Sequence, residues 1–276
     1  MRFRTHVGRS LDFSYSSNRW IVFLALAALI AGTTVALTGG PPGAWLAPLY
    51  TFLVWALVRE LDPDHDSTAI IAAAAGGAWA LLGQDTSGWL FVAGLLLAAR
   101  LSLNSTGRRP LVTDYYGIVV IAALISLFSP SAEGWVAGFG IALALYVDDR
   151  LAEEHDNRAV VAAVVAALAA SAAALLRGVF PLSVVAIRPA AILAYGLLGL
   201  LVVARDPLPP TSVVDARSNH PMEPGRLHAA RALVGALIFI AALFVGLRAV
   251  ALAPAAIALG LALIADLLAR IRRRRP

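Results

Sequence analysis

The chain of 276 residues contains no cysteine and no lysine, and only 14% of its residues are charged. The lack of cysteine excludes disulfides, thiolate nucleophiles and cysteine-ligated metals. The lack of lysine excludes Schiff-base chemistry on that side chain and makes all 22 Lys/Arg positions guanidinium groups. The planar fork of arginine suits phosphate and carboxylate, although a biased genome composition would produce the same arginine-only usage.

Several catalytic motifs are missing as well. The sequence has no Gly-x-Ser-x-Gly, no His-Glu-x-x-His and no Walker loop, so the standard hydrolase, zinc-protease and NTPase classes find no support. It also lacks the Asn-Asp-x-x-Asp signature of membrane prenyltransferases and the Asp-x-x-Asp-Gly pattern of CDP-alcohol phosphotransferases. These absences leave no family resemblance on which a function could be based.

What the chain does contain is apolar sequence: 60% of residues are hydrophobic and the mean hydropathy is +0.79. The apolar runs are continuous and rich in Ala and Leu, which favours helices over the alternating pattern of a membrane barrel. We therefore predict an all-α, polytopic transmembrane helix bundle of about ten spans. The candidate spans are 19–38, 43–61, 63–83, 88–103, 114–129, 133–148, 157–176, 180–204, 228–247 and 250–269.

Arginine placement predicts the topology. Nineteen of the 22 arginines fall at the termini or in alternate gaps between spans, so the positive-inside rule places both termini in the cytoplasm and pairs the spans into five hairpins. We expect a basic N-terminal segment over 1–18, a transmembrane domain over 19–269 with a cytoplasmic connection at 205–227, and an Arg-rich tail over 270–276. The expected location is the inner cell membrane.

The same pattern bears on partners. A basic tail directly beside a membrane span favours contact with anionic membrane lipids, so lipids are the expected partners and nucleic acid is not. Partner proteins are unknown from the sequence.

A parallel internal repeat is a further hypothesis. Asn18-Arg19 before the first span resembles Asn157-Arg158 before the seventh, and Arg59 with Asp62-Pro63 resembles Arg205-Asp206-Pro207. These matches predict that spans one to four correspond to spans seven to ten. Because few residues carry the match, chance similarity is the alternative.

The densest polar cluster predicts a catalytic or metal site. Asp62, Asp64 and Asp66 follow the second span, and they are candidate metal ligands or general bases. If Asp148 and Asp149, at the end of the sixth span, face Asp64 and Asp66, the four carboxylates could share Mg²⁺. The cofactor is otherwise unknown.

Helix capping is the competing interpretation of these acidic residues. Asp62 followed by Pro63 is typical of an N-cap with proline at the first helical position, and Asp64 and Asp66 would then occupy the first turn. The same reasoning predicts caps at Ser17-Asn18, Thr113-Asp114 and Asp156-Asn157.

Arginines near these acids could bind an anion. Arg59, Arg100, Arg108 and Arg109 lie in the same set of gaps and could clamp phosphate bidentately. Arg188, followed by Pro189, lies inside the predicted eighth span, where it would either bind an anionic substrate or extend its side chain to the membrane surface.

These residues support three functional hypotheses. The first is a cytoplasmic-face site that binds or processes a phosphate-bearing lipid or small molecule, with Mg²⁺ as the candidate cofactor. The second is a secondary transporter of a small solute. The third is a non-catalytic membrane scaffold that binds partners through the proline-rich connection at 205–227.

Overall fold

The computed structural model describes residues 15–104, 110–179, 189–204, 222–245 and 251–273, together with positions 13 and 210. Within these residues the chain is all-α, with ten α-helices, a short 3₁₀ helix at Pro42–Leu46 and a further 3₁₀ stretch at 251–252. The α-helices are α1 (Ser16–Leu37), α2 (Ala47–Leu61), α3 (Asp66–Leu81), α4 (Trp89–Leu103), α5 (Val112–Phe128), α6 (Glu133–Arg150), α7 (Asn157–Leu176), α8 (Pro189–Val203), α9 (Pro224–Val245) and α10 (Ala253–Arg273).

Each helix corresponds to one predicted span, because long runs of Ala and Leu have high helix propensity and satisfy their own backbone hydrogen bonds. The turns between helices are short and several depend on glycine. Gly39 and Gly83 follow α1 and α3 with φ of +84° and +71°, a left-handed conformation that is readily available only to glycine.

The bundle consists of two outer groups joined by central helices. α1, α2 and α3 pack against one another, and so do α5, α6 and α7. α4 lies between the groups, where it contacts α2, α6 and α9, while α10 packs on α2 and α3 and α8 packs on α9. Large side chains of α2 and α4, including Leu57, Phe91 and Leu95, are fully buried at this centre.

Helix packing bears on the predicted repeat. A correspondence of α1–α4 with α7–α10 would place α8 and α9 against α7, as α2 and α3 lie against α1. In the part of the chain that the structure describes, the extensive contacts of α7 are with α5 and α6. The duplication therefore stays a prediction without support from the helix pairing.

Five helical segments are long and apolar enough to cross a membrane: Ser16–Leu37, Pro42–Leu61, Asn157–Leu176, Pro224–Val245 and Ala253–Arg272. Outer helices also expose large apolar side chains, such as Phe23 (65%) and Ile30 (69%) on α1 and Leu168 (66%) on α7. Such extensive exposed apolar surface is unfavourable in water. The five helices and this surface suggest a multi-pass membrane protein.

Candidate functional site

Most charged side chains gather at one end of the bundle, which we call the charged end. There the C-termini of α2, α4, α6 and α10 meet the N-termini of α3, α7 and α9, as the ion pairs and hydrogen bonds below show. The start of α5 lies at the same end, where the Tyr115 hydroxyl donates to the Asp156 carboxylate at 3.2 Å. The other end, which we call the opposite end, holds the short turns after α1, α3, α5 and α7.

Arg59 joins the last turn of α2 to the start of α3. Its Nη1 donates to the carbonyl oxygen of Pro63 at 3.3 Å and forms an ion pair with the Asp66 carboxylate. The side chains of Arg59 and Asp66 are 25% and 48% exposed. Arg59, which the sequence predicted to bind an anion, is thus paired at the rim of the bundle with Asp66, which it predicted to bind a metal.

Arg100 joins the last turn of α4 to that of α2. Its Nε donates to Oε1 of Glu60 at 2.8 Å, and Glu60 is buried whereas the Arg100 side chain is 22% exposed. The Arg100 guanidinium interacts favourably with the dipole at the C-terminus of α4, and it compensates the buried Glu60 carboxylate at the C-terminus of α2.

Asp62 does not cap α3. The helix begins only at Asp66, with His65 as its N-cap, and Asp62 is instead the C-cap residue of α2. The capping interpretation was wrong here because the chain forms a turn over Pro63 and Asp64 before α3 starts. At the C-terminus of α2, the helix dipole opposes the carboxylate that it would stabilise at an N-terminus.

The surroundings of Asp62 are unusual for a carboxylate. The residue is 3% exposed, and its Oδ1 lies 2.7 Å from Nδ1 of His65. Its Oδ2 has no hydrogen-bond partner among the described residues. Burial raises the pKa of the Asp62 carboxyl above its usual value, although His65, Arg231 and the Thr68 hydroxyl act in the opposite direction.

Arg231 is a buried guanidinium that the sequence analysis did not select. It lies in α9 and is 3% exposed. Its Nε donates to the Leu61 carbonyl oxygen at 2.8 Å, and its Nη1 lies 3.8 Å from Oδ1 of Asp266 in α10. Asp266 also accepts from Nε of Arg270 at 3.1 Å. Arg231 therefore connects α2, α9 and α10 at the charged end.

Asp148 and Asp149 close α6 and are both buried. Nη1 of Arg226, in α9, donates to Oδ1 of Asp148 at 2.6 Å and to the carbonyl oxygen of Ser102 at 3.3 Å. Asp149 instead accepts from the backbone N–H of Asp156 at 2.7 Å. Arg226 thus compensates the charge of Asp148, which the dipole at the C-terminus of α6 disfavours. Nothing in the sequence indicated that Arg226 is the residue that does so.

These pairings bear on the predicted Mg²⁺ site. Asp66 is paired with Arg59 and Asp148 with Arg226, and among the described residues no group of three or more His, Cys, Asp or Glu could hold a metal ion. The metal role of Asp64, Asp66, Asp148 and Asp149 stays a prediction. Three of the predicted anion-binding residues, Arg108, Arg109 and Arg188, lie outside the described residues.

Capping does explain other acidic residues. The Asp156 carboxylate accepts from the backbone N–H of Arg158 at 2.9 Å, as predicted for the start of α7. Asp114 lies in the first turn of α5 and accepts from the Leu111 N–H at 2.9 Å. α1 begins at Ser16 after Tyr15, without a side-chain cap, so the predicted cap at Ser17-Asn18 is wrong.

Comparison with known proteins adds no relative to this description. No family model, no curated protein and no solved structure matches the chain.

Proposed function

We propose that this chain is a multi-pass membrane protein whose charged end faces the cytosol and binds a phosphate-bearing lipid or small molecule through Arg59 and Arg100. The proposal rests on one observation: an acidic neighbour orients each of these two guanidiniums, while both arginine side chains remain partly exposed at the rim. The charged end lies beside the apolar surface of the bundle, so a site there would lie at the level of the lipid headgroups.

The guanidiniums retain donors for an anion. A guanidinium carries five N–H donors, and within the described residues Arg59 uses only Nη1 and Arg100 only Nε. The remaining donors of two neighbouring helix ends suit phosphate oxygens, for which charge-assisted hydrogen bonds are strong. Glu60 and Asp66 serve as positioning residues, because they hold the guanidiniums without using their full donor sets.

Metal chemistry is not part of this proposal. The described carboxylates do not form a protein-only cage for Mg²⁺, and Asp66 is already compensated by Arg59. The predicted catalytic roles of Asp62, Asp64 and Asp66 therefore stay predictions, and we derive no reaction step from them.

The binding proposal is tested by lipid retention. We expect Arg100→Gln to reduce the amount of phosphatidic acid or phosphatidylglycerol retained on the purified protein by about tenfold, the effect of losing one charge-assisted hydrogen bond. Native mass spectrometry measures the retained lipid. Arg158→Gln is the matched control, since Arg158 is an exposed arginine at the same end; equal losses in both variants would contradict a defined site.

Sidedness is tested by labelling, for which the cysteine-free chain provides a clean background. Asp64→Cys and Gln84→Cys introduce single thiols at exposed positions of the charged end and the opposite end. A membrane-impermeant maleimide added to intact cells should modify position 84 and leave position 64 unmodified. Labelling of position 64 from outside would reverse the proposed orientation.

One observation favours transport as a second candidate function. Asp62 is a buried carboxylate with one unpartnered oxygen in the described structure, and Arg231 is a buried guanidinium close enough to influence its charge. Buried ionisable groups of this kind are typical of ion or proton pathways in transporters. Proton-driven uptake in vesicles that disappears in Asp62→Asn would favour this function over lipid binding. The scaffold hypothesis depends on the 205–227 connection, most of which lies outside the described residues.

A further inference from the structure

An open cleft of about 600 Å³ lies at the opposite end of the bundle. It is bounded by the start of α2, the turn before α4 and the end of α5, with Leu46, Asp85, Thr86, Trp89, Phe128 and Pro130 in its walls. Its volume falls within the usual range for small-molecule sites, and its lining is mainly apolar with a few polar groups, as such sites require.

The charge near this cleft is negative. Asp85 lies in its wall, and its carboxylate accepts the backbone N–H of Ser87 at 2.9 Å. Glu133, at the start of α6, is 1% exposed and accepts hydrogen bonds from the hydroxyls of Ser129 and Ser131. Neither carboxylate forms an ion pair with a basic side chain in the described ranges, which contrasts with the pairing at the charged end.

A buried hydroxyl provides a second, independent observation. Tyr50 is 0% exposed, and within the described structure its hydroxyl has no hydrogen-bond partner. Tyr50 lies one turn along α2 from Leu46, which is in the wall of the cleft. Because a buried polar group without a partner is costly, the first turn of α2 beside the cleft holds an incompletely satisfied hydroxyl in the described structure.

We propose that this cleft binds an alkylammonium group, with Asp85 as its counter-charge and Trp89 and Phe128 as aromatic walls. Ammonium groups with alkyl substituents favour aromatic faces beside a carboxylate. A divalent metal is the weaker fit, since the described residues contain no group of three His, Cys, Asp or Glu able to hold one. The ligand is either a free amine or the headgroup of a choline or ethanolamine lipid, which share this chemistry.

Calorimetric titration of the purified protein with tetramethylammonium and with choline tests the site. We expect saturable binding that Asp85→Asn weakens by about tenfold or more, because the counter-charge is lost while the oxygen that accepts from Ser87 is kept. Trp89→Leu should weaken binding several-fold. Glu153→Gln, at an exposed carboxylate of the charged end, is the matched control and should leave binding unchanged.

Lipid nanodiscs distinguish the two sources. Binding of free choline supports a soluble amine. Retention of phosphatidylcholine that Asp85→Asn abolishes, with retention of phosphatidylglycerol unchanged by that variant, supports a lipid headgroup. Either result supports the proposal. It is overturned if neither source binds, if Asp85→Asn binds as well as the parent protein, or if potassium competes as strongly as tetramethylammonium. Retention of phosphatidylglycerol reports on the anion site of the charged end, so failure of that site and failure of the cleft are distinguished.

Discussion

The two ends of the bundle hold their helices together by different means. At the charged end, arginines cross between helices to reach carboxylates and helix-terminal carbonyl groups, as Arg226 and Arg231 do. At the opposite end the backbones approach closely at glycines: Gly32 faces the carbonyl oxygen of Ala44, and Gly88 faces that of Ala251. Directional ionic contacts stabilise the charged end. Close backbone packing, which glycine allows because it has no side chain, stabilises the opposite end.

This difference has a consequence for mutational sensitivity. The charged end should be sensitive to loss of a buried charge and tolerant of added volume at its exposed positions. The opposite end should be sensitive to even one added methyl group at its close contacts. Four variants test the two kinds of stabilisation.

The largest effect is expected for Arg231→Met. Loss of the guanidinium leaves the Leu61 carbonyl without its donor and removes the buried cation beside Asp62 and Asp266. Breaking a buried pair in this way costs about 3–5 kcal/mol. Reversible unfolding in mixed micelles measures the free energy of unfolding. Arg158→Met, at an exposed position, should cost far less; a similar small loss in both variants would show that Arg231 carries little of the stability.

The next largest effect is expected for Gly32→Ala. A methyl group on Gly32 would collide with the backbone of Ala44, and such overpacking costs about 1–3 kcal/mol. Gly117→Ala is the matched control, because nothing lies within 4 Å of a methyl group there. It should be neutral or stabilising by up to about 1 kcal/mol, since alanine has the better helix propensity. Equal destabilisation of the two variants would argue against close packing as the cause.

The third prediction concerns pH. Because burial raises the pKa of Asp62 in the folded protein, the folded state binds the proton more tightly than the unfolded state does. The stability that protonated Asp62 contributes is therefore fully present below the pKa of this carboxyl in the unfolded chain. It is lost as pH rises through the pKa of Asp62 in the folded protein.

Asp62→Asn removes this dependence, so the variant should gain stability relative to the parent protein as pH increases. Unfolding free energies at several pH values check this expectation, with Asp66→Asn at the exposed rim as control. A stability difference between Asp62→Asn and the parent that does not change with pH would contradict it.

The smallest effect is expected for Arg270→Gln. Arg270 is 33% exposed and its partner Asp266 also lies near Arg231, so loss of this pair should cost less than about 1 kcal/mol. The loss should shrink further at high salt, because exposed pairs are screened. Thermal unfolding at low and high ionic strength measures it; a cost as large as that of Arg231→Met would place Arg270 in the buried network.

The fold was largely predictable because hydropathy is a local property of the chain. α7 begins at Asn157 and ends at Leu176, as the sequence predicted, and α6 begins at the predicted Glu133. The start of α3 was not predictable from Asp62-Pro63, because a cap signal competes with the turn that Arg59 stabilises through the Pro63 carbonyl. The local sequence is compatible with a helix that starts at Pro63 and with one that starts at Asp66. The contact of Arg59, in the preceding helix, with the Pro63 carbonyl favours the later start.

The candidate site was predictable only in part. The sequence placed acidic and basic residues together at one end, and a pair such as Asp266 and Arg270, four residues apart on one helix, has the spacing of a local contact. It did not select Arg226 or Arg231, because their partners lie 78 and 170 positions away along the chain. No local spacing reports such contacts.

The sequence by itself determined the helical character, the number of apolar segments and the gathering of guanidinium groups between alternate segments. These follow from side-chain polarity and from the need of each segment to satisfy its own backbone. The tertiary structure alone decided which carboxylate each described arginine meets. Ion-pair geometry depends on how helices far apart in the chain pack against each other, and close approach at glycines such as Gly32 sets that packing.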